Sequence, residues 1–215
     1  MTTTLATLLL ALAGPPLLVV VSRRAFGESP GLAEQLFLHL VFCAIAVAVV
    51  VVVVRVERQP LSSIGWRRPG VSTLIYGGLL ALGTLVGLPW LTRPLAGALP
   101  NARVASEIHT LALLPIWFRV FVGATAGAVE ETLYRGYAVE RLAILTGRRW
   151  LGAVLAQTGF TFAHVPAWGL RYALAADLPF GIVMTLSYLW RRDLAANALA
   201  HSTGLVIMLA AIEAA

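Results

Sequence analysis

Seven predominantly apolar stretches follow one another along this chain: Leu5–Val21, Gln35–Val54, Val71–Leu91, Leu111–Tyr134, Trp150–His164, Tyr172–Trp190 and Leu194–Ile212. A helix needs about 20 such residues to cross the hydrocarbon of a bilayer. Every backbone N–H and C=O in that hydrocarbon must be paired within the protein, so stretches of this length fold as helices and not as open strands. The expected fold is therefore all-α, a polytopic transmembrane bundle of about seven spans. The count runs from about six to eight, according to how the weak first and short fifth stretches are taken.

Composition excludes the soluble alternatives. Only 12% of the 215 residues are charged and 59% are hydrophobic, against roughly 25% charged in a soluble domain. The net charge of +6 does not mark a nucleic-acid binder, because the 16 basic residues, all arginine, fall mainly in short connections between apolar stretches. The single cysteine, Cys43, has no intrachain partner and is read as a packing residue. The apolar N-terminus lacks a basic leader, and Gly14-Pro15-Pro16 is expected to interrupt it; it is read as an uncleaved first span.

Arginine placement sets the expected orientation. The connections after spans two, four and six hold 10 arginines, and those after spans one, three and five hold 5. By the positive-inside rule the first group, with the N-terminus, is cytoplasmic. The chain is expected to be integral to a membrane, the cytoplasmic (inner) membrane if the source is bacterial. It reads as a single domain over 1–215 with no convincing internal repeat.

Against this background the segment Ala128-Val129-Glu130-Glu131-Thr132-Leu133-Tyr134-Arg135-Gly136 is an energetic anomaly. A charge near the centre of a span costs about 2.5–3.5 kcal/mol on insertion scales, so each is a functional suspect. Residues four apart share a helix face, which sets Glu131 beneath Arg135 for an ion bridge. Glu130 is turned about 100° from Glu131 and remains a free carboxylate, the property a general base needs. Snorkelling of the three side chains at a membrane boundary is the competing reading.

A partner follows from counting. If the turn between spans four and five lies at Gly147-Arg148-Arg149, Glu130 is 17 residues before Gly147 and His164 is 17 after it. Both then sit roughly 25 Å from the turn. In the last span Asn197 and His201 are four apart and project together; they can stabilise an oxyanion or act as polar glue between helices.

Weaker candidates are Arg119 and Asp177, expected to snorkel or pair near span ends, and His39 and His109, expected to pack or lie at an interface. Gly77, Gly78 and Gly83 are expected to allow close helix approach, and the six tryptophans to form an aromatic belt.

Glu130-Glu131-x-x-x-Arg135, then Phe160-x-x-x-His164, then His201 in the last helix resembles the CAAX prenyl protease and bacteriocin-processing family of intramembrane endopeptidases. The likeness covers about 115–212 as a protease-like core, and 1–110 matches such proteins by hydropathy only. It implies that Glu130 activates water with help from His164, that Glu131 and Arg135 hold the site together, and that His201 serves the oxyanion hole. One position departs: the family places Asn or Asp four residues after its histidine, where this chain has Leu205, and Asn197 one turn earlier is the candidate substitute. Two histidines and a carboxylate are a donor set that zinc accepts. Without a His-Glu-x-x-His pair on one helix, a metal-independent mechanism with no cofactor is favoured. The implied partner is a membrane-anchored or lipid-modified peptide, cut near the cytoplasmic side or within the bilayer. A non-proteolytic immunity or scaffolding protein, for which Leu205 speaks, is the alternative. A proton-coupled transporter is a third reading, disfavoured by the lack of a repeat.

Overall fold

A computed structural model describes residues 2–97 and 102–212. Arg93 and Arg103 enter the orientation count by sequence only. All regular structure among the described residues is helical, as the bilayer argument requires. Four helices are long and apolar enough to span a membrane: Thr2–Phe26 (α1), Leu32–Val56 (α2), Val71–Trp90 and Leu170–Arg191 (α6); Leu194–Ala210 is shorter. The two remaining apolar stretches form a hairpin at the centre of the bundle.

The hairpin's first arm stays helical past the span limit at Tyr134, as the residue count to the turn requires; its π geometry was not expected. Ile116–Glu130 (α3) runs without a break into a π-helical segment, Glu131–Ala138, and then into Val139–Thr146 (α4). Every residue of the π segment is buried, so its charges face protein and not lipid or headgroups. Gly147 closes α4 at φ +66, a conformation that glycine adopts without strain, and Arg149–Ala163 (α5) returns alongside. The turn is where the residue count requires it.

The last helix, Leu194–Ala210 (α7), packs along α3 and along Val71–Leu82, while α1 and α2 cover the other side of the hairpin. Close packing of α7 on α3 depends on two glycines. A Cβ at Gly127 would stand 2.5 Å from the Ser202 backbone nitrogen, and one at Gly123 2.7 Å from that of Val206. Of the three glycines expected to serve this purpose in the third span, only Gly77 meets a neighbour, at Leu199 and the Ala196 carbonyl; Gly78 and Gly83 face open space.

Two further expectations are corrected. Pro15 and Pro16 do not interrupt α1, which is continuous through them. Proline's fixed φ is compatible with a helix, and what it removes is the N–H that would bind the carbonyl four residues back. The tryptophans do not all form a belt. Trp90, Trp117, Trp150 and Trp190 are exposed, but Trp66 turns inward to donate to Thr132 Oγ1 at 3.1 Å.

Candidate active site

The ion bridge expected on helical spacing is present inside the bundle. Arg135 Nη1 donates to Glu131 Oε1 at 3.1 Å, with side-chain exposures of 1% and 0%. A buried pair is stable only when its remaining hydrogens and lone pairs are also used. Here Arg135 Nη2 reaches Gln157 Oε1 and the Gly181 carbonyl, both at 3.3 Å, and the guanidinium lies over the Phe160 ring at 3.9 Å. The other Glu131 oxygen accepts from Asn197 Nδ2 at 3.2 Å. His201 Nδ1 donates to Glu131 Oε1 at 2.9 Å. Glu131 thus ties the π segment to the last helix.

Glu130 points elsewhere. Its Oε2 stands 3.7 Å from His164 Nε2 and 3.9 Å from His201 Nε2. The tautomers follow from the other ring nitrogens. His164 Nδ1 is 2.8 Å from the Phe160 carbonyl, which can only accept, so Nδ1 carries the hydrogen and neutral His164 presents a lone pair at Nε2. The same reasoning, with the Glu131 carboxylate as acceptor, leaves a lone pair at Nε2 of neutral His201. Three acceptors therefore converge, an arrangement suited to a group bearing hydrogens, such as water.

Glu130 and His164, with Tyr134, line a cavity of about 300 Å³ whose apolar walls include Leu18, Val19, Leu38, Phe42, Phe118 and Val122. Its mouth carries Arg23, Glu28 and Glu107. Arg23 fastens that end by binding Glu107, the Pro166 carbonyl and, at 3.2 Å, the Ala167 carbonyl.

Asn197 is placed differently from what an oxyanion donor requires. Its amide hydrogens go to Glu131 Oε2 and, at 2.8 Å, to the Met184 carbonyl, while its oxygen accepts from Ser187 Oγ at 2.7 Å. Leu205, at the position where the family has a polar residue, packs its backbone beside Gly123.

Several neighbours of the site escaped sequence reading. Gln157, seven residues before His164 on the same helix face, receives Arg135 and Thr185 and donates to Thr161. A polar residue two turns from a candidate histidine in an apolar helix was a readable signal. His39, expected to pack, does so against Phe121 and also lines the cavity. Asp177 does not snorkel. Its Oδ2 is buried without a hydrogen-bond partner among the described residues, within electrostatic reach of His164, Glu130 and His201. Arg119 pairs with the Leu209 carbonyl at 3.1 Å at the end of α7. Among the described residues no group of three or more His, Cys, Asp or Glu side chains has the arrangement to hold a metal ion.

Comparison with known proteins adds a family. Residues 112–205 match the model of the Rce1-like type II CAAX prenyl endopeptidases. The matched segment contains α3, the π segment, α4, α5 and the His201 turn of α7, and it agrees with the resemblance carried by the three motifs. No curated protein and no solved structure matches the chain. The match spans 94 of the 215 residues; with four helices long and apolar enough to span a membrane, it supports an integral membrane protein whose second half is similar to these endopeptidases.

Proposed function

We propose that this chain is a membrane endopeptidase that hydrolyses a peptide bond in a membrane-anchored peptide or protein, using a water molecule activated by Glu130 and His164. The observation that carries the reading is the 3.7 Å approach of Glu130 Oε2 to His164 Nε2 where both residues line an apolar cavity. A water between these atoms donates one hydrogen to each, which raises electron density on its oxygen. Glu130 takes the proton as the oxygen attacks the carbonyl carbon, and later returns it to the leaving amine.

His201 acts on the anion formed at the carbonyl oxygen. With Nδ1–H held by Glu131, the ring becomes a donor at Nε2 when it takes up a proton from solvent on substrate binding, and it returns that proton to solvent as the products leave. Glu131, Arg135 and Asn197 position it. The Glu131–Arg135 pair is internally neutral, so its presence adds no net charge to the reaction zone.

The apolar walls suit a substrate with apolar side chains next to the cut, drawn into the cavity from its polar mouth. A prenylated peptide, a bacteriocin leader and a C-terminal sorting tail all meet that description. In a bacterial cytoplasmic membrane with the N-terminus inside, the Arg23 mouth lies on the outer face. Cleavage then occurs within the bilayer and not at the cytoplasmic surface.

The direct test replaces Glu130 with Gln in the full chain and follows newly formed peptide termini in membranes. Loss of wild-type-dependent cleavage is expected. Unchanged cleavage would overturn the mechanism, and a cellular phenotype that survives E130Q would favour the scaffolding alternative.

A further inference from the structure

The proposed reaction needs hydrogen-bond donors for the carbonyl oxygen, and the residues already assigned supply few. Both amide hydrogens of Asn197 are spent on Glu131 and the Met184 carbonyl, and His201 Nε2 donates only when the ring holds a second proton. Beside them, the structure contains a hydroxyl with no use of its own. Tyr134 is 1% exposed, and its hydroxyl is buried with no hydrogen-bond partner among the described residues. Buried hydroxyls are almost always paired, and one left unpaired calls for an explanation.

Its position supplies one. Tyr134 follows Glu130 by four residues, the spacing at which Arg135 meets Glu131, and it lies within electrostatic reach of Glu130. It lines the same cavity as Glu130 and His164. The ring is held edge-on to Phe160 at 5.3 Å between centroids, and Phe160 in turn packs on His164 at 4.6 Å. The hydroxyl therefore stands on a fixed frame that already contains the attacking group.

We propose that Tyr134 is a catalytic residue, donating its hydroxyl hydrogen bond to the oxygen of the scissile carbonyl as that oxygen becomes negative. This rests on the endopeptidase reading above. As the water oxygen bonds to the carbonyl carbon, the C=O π pair moves onto oxygen and is held by Tyr134 O–H and His201. When the C=O re-forms, the C–N bond breaks and the amine leaves with the proton from Glu130. Tyr134 keeps its own proton throughout. A preorganised donor satisfied only in the transition state accelerates the chemical step without tightening substrate binding.

The experiment compares wild type, Y134F and E130Q as full chains in membranes. Peptides whose new termini appear with wild type and not with E130Q are synthesised as donor–quencher substrates and assayed with purified protein in liposomes. Y134F is expected to lower kcat by about 10²–10³-fold with KM within about twofold. Its melting temperature should equal or exceed that of wild type, because phenylalanine keeps the ring and removes only an unpaired hydroxyl. A structural role for the hydroxyl predicts the reverse, a lower melting temperature with kcat retained, and would overturn the inference. Wild-type kcat in Y134F with E130Q inactive overturns it alone. If no terminus depends on Glu130, the endopeptidase mechanism and the inference fall together.

Discussion

His164 Nε2 faces Glu130 Oε2 across 3.7 Å, and the Phe160 carbonyl at 2.8 Å from His164 Nδ1 decides which nitrogen is turned towards the carboxylate. One backbone carbonyl on α5 thus sets the proton-accepting character of the site. His164→Phe keeps a ring against Phe160 and deletes the acceptor. Peptide cleavage in liposomes should fall about 10²–10⁴-fold, the usual weight of a positioned acid–base group. Retention of about a tenth or more of the rate would remove His164 from the mechanism.

Glu131 and Arg135 are expected to matter first for folding. Deleting one partner of a buried, hydrogen-bonded ion pair strands the other, at a cost of about 3–5 kcal/mol. R135M leaves the Glu131 carboxylate in the core with only Asn197 and His201, and E131Q leaves the Arg135 charge without its counter-ion. Equilibrium unfolding in detergent should show each single variant strongly destabilised. The double variant E131Q/R135M should lose less than the sum of the two, and strict additivity would mean that the pair is not coupled.

Much of this centre follows from spacing alone. The Glu131–Arg135 bridge needs only the i,i+4 rule, and the meeting of Glu130 with His164 needs only equal counts on either side of Gly147. Both rely on local helical geometry that any helix enforces. That the helix past Tyr134 takes a π form was not legible, because nothing in the spacing marks it; all eight residues of that segment are buried against the surrounding helices. The commitment of Asn197 to Met184 and Ser187 was equally hidden, since it depends on how Leu178–Arg191 lies beside α7. Tyr134 stands four residues from Glu130 in the sequence, and only the missing partner of its hydroxyl sets it apart.

The α3–α7 contact gives a prediction about glycine. Gly127→Ala would press a methyl group to 2.5 Å from the Ser202 nitrogen, which forces apart the helices that carry Glu130 and His201. Activity should be lost and the melting temperature should fall. Gly78→Ala meets nothing within 4 Å and gains helix propensity worth about 1 kcal/mol. It should be neutral or stabilising with activity unchanged. Equal effects of the two substitutions would show that close approach at Gly127 is not what holds the pair of helices.

A second polar cluster, around Glu57 just past the end of α2, predicts acid sensitivity. Glu57 binds Arg141 through Nε at 2.9 Å and Nη2 at 2.7 Å, and accepts from Tyr137 at 3.0 Å and Thr4 at 3.3 Å. Partial burial alone would raise its pKa, but the hydrogen bonds and charge of Arg141, with Tyr137 and Thr4, outweigh this and hold it below the usual carboxylate value. A carboxylate depressed in the folded state contributes stability that is complete above its unfolded pKa and is lost as pH falls through the folded one. Melting temperature should therefore decline on the acid side in wild type. Glu57→Gln should lower it at neutral pH and flatten that decline. A parallel decline in both proteins would place the acid sensitivity elsewhere.

The orientation of the cavity mouth follows from the arginine count and can be tested without a substrate. Glu28 lies at the mouth with its side chain 70% exposed, while Arg148 is exposed in the turn at the opposite, arginine-rich end. With the half-buried Cys43 replaced by alanine, cysteines introduced as Glu28→Cys and Arg148→Cys report each side separately. If the arginine asymmetry, 9 to 5 once the buried Arg135 is set aside from the ten, sets the topology, a membrane-impermeant maleimide applied to intact cells labels Glu28→Cys at once and Arg148→Cys only after permeabilisation. The substrate then has to present its cleavage site from the outer side of the membrane. The reverse labelling would turn the mouth to the cytoplasm and make cytoplasmic, membrane-anchored peptides the ones that reach Glu130.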